Sequence, residues 1–86
     1  MKVPELVLYH VPWCGYCKRV ERALEELGLE IEHRDVADPV HRGELREARG
    51  RTTVPVLRIR EPDGTETWMP ESLDIVAYLQ RRYGES

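Results

Sequence analysis

The chain's only cysteines, Cys14 and Cys17, lie in the stretch VPWCGYCKRVE, residues 11–21. A helix-like run follows them directly. A Cys-x-x-Cys pair at the start of a helix suits redox work, because the free N–H groups and the dipole of the first turn stabilise negative charge. A cysteine there gives up its proton more readily than the ordinary value of about 8.5 would allow. Cys14 is the candidate nucleophile. Cys17 falls on the same helix face one turn deeper, within reach of Cys14 once that residue is held in a mixed disulfide, so it is the candidate resolving thiol. Lys18 and Arg19 add positive charge nearby, and Pro12 and Trp13 shape a flat apolar surface beside Cys14 that can support a peptide-like substrate.

Three blander roles compete with this one. A structural zinc site needs a full tetrahedral ligand set, and beyond the cysteines only His10, His33 and His41 remain, without a second CxxC or paired-His spacing. No metal ligand is therefore assigned. A permanent bond between the two cysteines closes a loop too short to stabilise much. Two cysteines are also too few for the disulfide scaffold of a small secreted domain. Inert packing of both thiols stays open as the third role.

The elements that must position the pair follow from the pattern along the chain. Glu5–Tyr9 is a short apolar run suited to a buried strand. From Gly15 the period changes: Val20, Leu24 and Leu27 recur at helical spacing, and Gly28 stands where a left-handed cap belongs. Residues 29–36 alternate loosely and read as a second strand. Asp38 can cap a helix with Pro39 in its first position and Gly50 at its end. Residues 54–60, VPVLRIR, read as a strand, Asp63-Gly64 as a hairpin turn, and TETWM as the returning strand. A last helix spans about Glu71 to Tyr83, with Leu73, Val76, Ala77, Leu79 and Tyr83 as its expected buried side. The order is β-α-β-α-β-β-α. The crossover helix makes the first two strands parallel and the hairpin adds an antiparallel edge, so an α/β fold with a mixed four-stranded sheet flanked by helices is expected.

Composition narrows the function classes. With 41% apolar residues in 86, residues 1–86 form one domain rather than two. Thirteen Lys and Arg against 16 Asp and Glu give a net charge of −3, which lacks the positive excess that nucleic acid requires. The opening MKVPELVLYH is neither a signal peptide nor a membrane span, so a cytoplasmic protein with no membrane partner is expected.

LYHVPWCGYCKRVERALEELG, then GRTTVPVL, then WMPESLDIVAYLQRRYG together resemble a glutaredoxin, and equally the N-terminal domain of a glutathione transferase, both of thioredoxin-like fold. The resemblance implies that Pro55 is cis and faces Cys14, with the Val54 backbone free to pair with the cysteinyl part of glutathione. It also implies that Glu71 and Ser72 hold the γ-glutamyl group, which suits the free N–H groups of a helix start, although Ser72 could equally be a plain helix cap. Arg51, or alternatively Arg49, reaches the glycyl carboxylate, and Trp13, Tyr16 and Thr53 complete the implied glutathione contacts.

The chain departs from the glutaredoxin pattern in three places. Gly15 replaces the proline common between the cysteines, and Val11 replaces a lysine for which His10 and Lys18 partly substitute. Met69-Pro70 replaces Gly-Gly before the last helix. A complete transferase carries a second, helical domain, and because this chain stops before one, transferase activity is not expected. The expected activity is a glutathione-dependent disulfide oxidoreductase, a monomer acting on disulfide or glutathionylated proteins. Alternatives are reduction by a thioredoxin reductase, a [2Fe–2S] carrier formed as a glutathione-bridged dimer, and a binding module without turnover.

Overall fold

The computed structural model describes residues 1–84. Its elements run β1 (Lys2–His10), α1 (Gly15–Glu26), β2 (Glu30–Asp35), α2 (Pro39–Arg49), β3 (Val56–Arg60), β4 (Glu66–Met69) and α3 (Ser72–Tyr83), which is the expected order. The sheet order is β2-β1-β3-β4, with β1–β2 parallel and the β1–β3 and β3–β4 pairs antiparallel.

The apolar run of β1 is unbroken because the strand is buried on both faces. Leu6 and Leu8 join Leu57 and Ile59 of β3, Val20 and Leu24 of α1, and Ile75 and Leu79 of α3 in one core cluster. Val7 and Tyr9, pointing the other way, join Val36, Val56 and Leu45 of α2 in a second. Two helices thus cover one face of the sheet and α2 the other. Tyr9 is fully enclosed, and its hydroxyl donates to Glu44 Oε1 at 3.0 Å while Arg34 Nη1 donates to it at 3.0 Å, which keeps a buried polar atom satisfied.

Local signals set the boundaries of α2. Asp38 Oδ1 accepts from the Val40 N–H at 2.8 Å, Pro39 begins the helix, and Gly50 ends it at φ +75°, a conformation glycine adopts without a Cβ penalty.

Several boundaries and one face differ from expectation. β1 starts at Lys2, before Glu5, and passes through Pro4; its register with β2 shifts between Lys2 and Val7, the stretch where proline cannot donate to the ladder. β3 starts at Val56 instead of Val54, where pairing with Tyr9 begins; the Val54–Pro55 peptide ahead of it is cis, as the family resemblance implied. α3 begins at Ser72, one residue later than expected.

The buried side of α3 is Ser72, Ile75 and Leu79, spaced as one helical stripe. Of its expected buried residues, Leu73 is 66% exposed and Ala77 is exposed, while Val76 and Tyr83 only flank the core. Leu73 turns toward the cleft described below, which gives its apolar side chain a place off the core face. Replacing Ile75 with Ala should therefore cost about 2–5 kcal/mol in denaturant unfolding. Leu73→Ala should shift it by about 0.5 kcal/mol or less; equal losses would show that the helix is turned otherwise.

Candidate functional site

β1 ends at His10, and the chain turns through Val11–Cys14, with the Cys14 N–H donating to the Val11 carbonyl at 3.3 Å. Cys14 is the N-cap residue of α1, with extended backbone (φ −88°, ψ 120°). Its Sγ accepts the Cys17 backbone N–H at 3.4 Å, where a Ser or Asp oxygen commonly sits. That donor is the kind of partner a sulfur anion takes.

Cys17, one turn on, is wholly enclosed, whereas Cys14 is partly exposed; both are reduced. Burial pushes the Cys17 thiol up to about 12, with the Cys14 hydrogen bond and the charges of Cys14 and Glu21 adding to it and a Val11 backbone contact opposing it. Cys17 is accordingly held as a thiol near neutral pH.

An open cleft of about 450 Å³ is built from three segments. Tyr16 and Arg19 of α1 form one wall, with the Arg19 guanidinium 5.8 Å from the Tyr16 ring centre. Arg49 at the end of α2 and Arg51, Thr53, Val54 and Pro55 before β3 form the second. Pro70, Glu71, Ser72 and Leu73 at the start of α3 close it. Cys14 and Val54 pack against the same core cluster, so the cysteine turn and the cis-proline loop share a support.

Three guanidiniums face one carboxylate, Glu71, around this cleft, so the local field is positive although the whole chain is acidic. The Arg49 Nε is buried and has no hydrogen-bond partner among the described residues. Glu71 occupies the N-cap position of α3 without a side-chain capping bond, and Ser72 is the first helical residue, 8% exposed, so the plain-cap role for Ser72 does not apply. The first-turn N–H groups of α3 therefore lack a side-chain acceptor and suit a ligand carboxylate. The cleft has the polarity for a peptide bearing two carboxylates, which is the make-up of glutathione.

Of the residues singled out in the sequence, Tyr16, Arg51, Thr53, Val54, Pro55, Glu71 and Ser72 come together here, and Arg49 lines the cleft beside Arg51. Trp13 does not line it; at 74% exposure it stands in solvent next to Cys14. Neither His10 nor Lys18 lines it either, and Cys14 and Cys17 lie outside its lining, with Cys14 packed on the core cluster that Val54 also joins. His10 faces Glu21, with Nδ1 3.3 Å from Oε2, and lies edge-on to His33. Arg19 and Pro70 were not singled out as cleft residues; the Tyr16-x-x-Arg19 spacing was the available signal for the first. Among the described residues, no set of three or more His, Cys, Asp or Glu side chains could hold a metal ion, and no helix is long and apolar enough to cross a membrane.

Comparisons with known proteins give the family and the fold. The family profile described as "Glutathione S-transferase, N-terminal domain" matches residues 8–86. Glutaredoxin of Pseudomonas aeruginosa is 36% identical over 62 residues, covering 69% of this chain and 71% of the relative. Human protein disulfide-isomerase TMX3 is 40% identical over 40 residues, which is 46% of this chain and 8% of that protein. The crystal structure of maleylacetoacetate isomerase from Anaeromyxobacter dehalogenans, with bound dicarboxyethyl glutathione and citrate, superposes with a TM-score of 0.71 at 30% identity. That superposition covers 93% of this chain and 37% of the isomerase, so the chain spans about a third of that protein's length. With the profile running through nearly the whole sequence, the chain belongs to the glutathione S-transferase N-terminal domain family, of thioredoxin-like fold, and is a homologue of glutaredoxin.

Proposed function

We propose that the chain is a glutathione-dependent thiol–disulfide oxidoreductase. The observation that carries this is the pairing of a partly exposed Cys14 sulfur, bonded to the Cys17 N–H at the start of α1, with an enclosed Cys17 thiol one turn deeper. The homology to glutaredoxin and the glutathione derivative bound to the isomerase support the same substrate class.

In this reading Cys14, as thiolate, attacks one sulfur of a substrate disulfide; a Cys14–substrate disulfide forms and the other sulfur leaves as a thiolate that takes up a proton. Glutathione then attacks the mixed disulfide, or Cys17 does, giving the Cys14–Cys17 disulfide that further glutathione reduces. Arg49 and Arg51 hold the glycyl carboxylate, the Val54 backbone pairs with the cysteinyl unit, and the start of α3 with Ser72 takes the γ-glutamyl carboxylate.

The division between the cysteines is tested in a glutathione-coupled assay. Cys14→Ser should abolish turnover, while Cys17→Ser should keep removal of glutathione from proteins and lose reduction of protein disulfides. Equal loss in both variants on both substrates contradicts the assignment, and turnover sustained by thioredoxin reductase but not by glutathione favours the other reductant.

Loss of a hydrogen bond to a charged group costs about 1.5–3 kcal/mol, so the double variant Arg49→Ala/Arg51→Ala should raise KM for glutathione by about tenfold or more with little change in kcat. An unchanged KM removes the arginines from the site.

Burial of the Cys17 thiol also predicts a pH effect on stability. Its folded value, about 12, lies well above that of a thiol in the unfolded chain, so the folded state keeps a proton that the unfolded chain loses. The contribution is complete below the unfolded value and vanishes as pH rises toward about 12. Cys17→Ala should make the alkaline loss of stability shallower than in the unsubstituted protein; identical slopes would deny the shift.

A further inference from the structure

None of the arginines around the cleft, Arg19, Arg49 and Arg51, enters an ion pair with another side chain among the described residues. Set against the single carboxylate of Glu71, they leave an excess of two positive charges there. A glutathionyl group brings two carboxylates and one ammonium, so it compensates only part of that excess. One guanidinium stays without a counter-charge when the tripeptide is in place. Arg49 and Arg51 stand on the wall that leads into the cis-proline loop, at the proposed glycyl site, and the start of α3 is the proposed γ-glutamyl site. Arg19 stands on the remaining wall, on the helix that Cys14 caps, with its guanidinium 5.8 Å from the centre of the Tyr16 ring. Their spacing of three along α1 brings the two side chains together, and the ring restrains a cation otherwise open to solvent.

We propose that Arg19 is a specificity residue that selects glutathione disulfides whose other half bears a carboxylate beside its sulfur; this rests on the glutathione reading above. A guanidinium pairs with a carboxylate through two parallel hydrogen bonds, so the surplus cation recognises an acid by geometry as well as by charge. In the step concerned, the Cys14 thiolate attacks the glutathionyl sulfur, the bond from Cys14 to glutathione forms, and the bond to the other half breaks. That half leaves as a thiolate and takes a proton from water. A glutathionylated protein cysteine flanked by Asp or Glu has this make-up, and so does a small mercapto acid. The net charge of the whole chain, −3, works the other way and by itself favours basic substrates. A preference for acid is therefore the mark of the local cleft.

The Cys17→Ser chain isolates this step, because its adduct cannot be resolved from within. In reduced form it is mixed with glutathionylated peptides that are identical except for Asp, Ser or Lys on either side of the cysteine, and release of the peptide thiol is timed. Disulfides of glutathione with mercaptosuccinate and with mercaptoethanol form a second arm. At low salt the Asp peptide should outrun the Lys peptide by about tenfold, attraction and repulsion at one exposed charge each contributing. The lead should shrink as ionic strength rises from about 0.01 M to about 1 M, which shortens the screening length from about 30 Å to about 3 Å. Arg19→Ala should bring the two rates within about twofold. Arg19→Lys should keep most of the lead, and Arg19→Glu should invert it. A lead for acid confined to the mercaptosuccinate arm assigns the site to a small thiol acid, and one seen in the peptides assigns it to a protein cysteine. A lead kept in full by Arg19→Ala, or equal rates on all the disulfides with Arg19 in place, overturns the proposal and leaves the glutathione reading standing. Should Arg19→Ala shift the pH profile of Cys14 alkylation by iodoacetamide by as much as it slows the Asp peptide, Arg19 acts on the sulfur and the proposal also falls. If none of the disulfides passes glutathione to Cys14, the glutathione reading falls and this inference with it.

Discussion

A sulfur occupies the position at the head of α1 where a side-chain oxygen commonly caps a helix, and the rest of the molecule serves to keep it there. β1 delivers the chain to that point from the middle of the sheet, enclosed on both faces, while Val20 and Leu24 fix the helix against β1, β3 and α3. Each fully buried aliphatic side chain of this kind contributes about 1.5–3 kcal/mol, so the core determines where Cys14 lies far more than the single N–H to sulfur contact does.

The two cysteines are close in sequence and opposite in environment. Cys14 is open to a reactant and Cys17 is shut away with its proton retained. Neighbouring groups pushed apart in this way suit separate chemical roles, which is what the proposed attack by Cys14 and resolution by Cys17 require. The same separation holds for charge. The chain is acidic overall, yet Arg19, Arg49 and Arg51 gather around one cleft, and the short-range field there is what a carboxylate-bearing ligand meets.

What could be read from the sequence was whatever is written locally. The Asp38-Pro39 start and Gly50 end of α2 depend only on backbone groups within a turn, and the Cys14 cap follows from its place before a helical period. The core face of α3 was misread because Leu73 and Ala77 suit a buried face in composition, while the stripe Ser72–Ile75–Leu79 is set by how the helix lies on α1 and the sheet. The cis peptide before Pro55 came from family resemblance, since nothing in the residues themselves separates cis from trans. The Tyr9–Arg34–Glu44 network and the approach of His10 to Glu21 join residues far apart in the chain, and no spacing rule announces either.

The account stands on Cys14 being the reacting atom beside a tripeptide site. A crystal structure of the Cys17→Ser chain after reaction with oxidised glutathione tests it directly. The expected result is a disulfide to Cys14, with the glycyl carboxylate at Arg49 or Arg51 and the γ-glutamyl carboxylate at the start of α3. Failure to form that adduct, or a tripeptide lying outside the cleft between Tyr16 and Ser72, would contradict it.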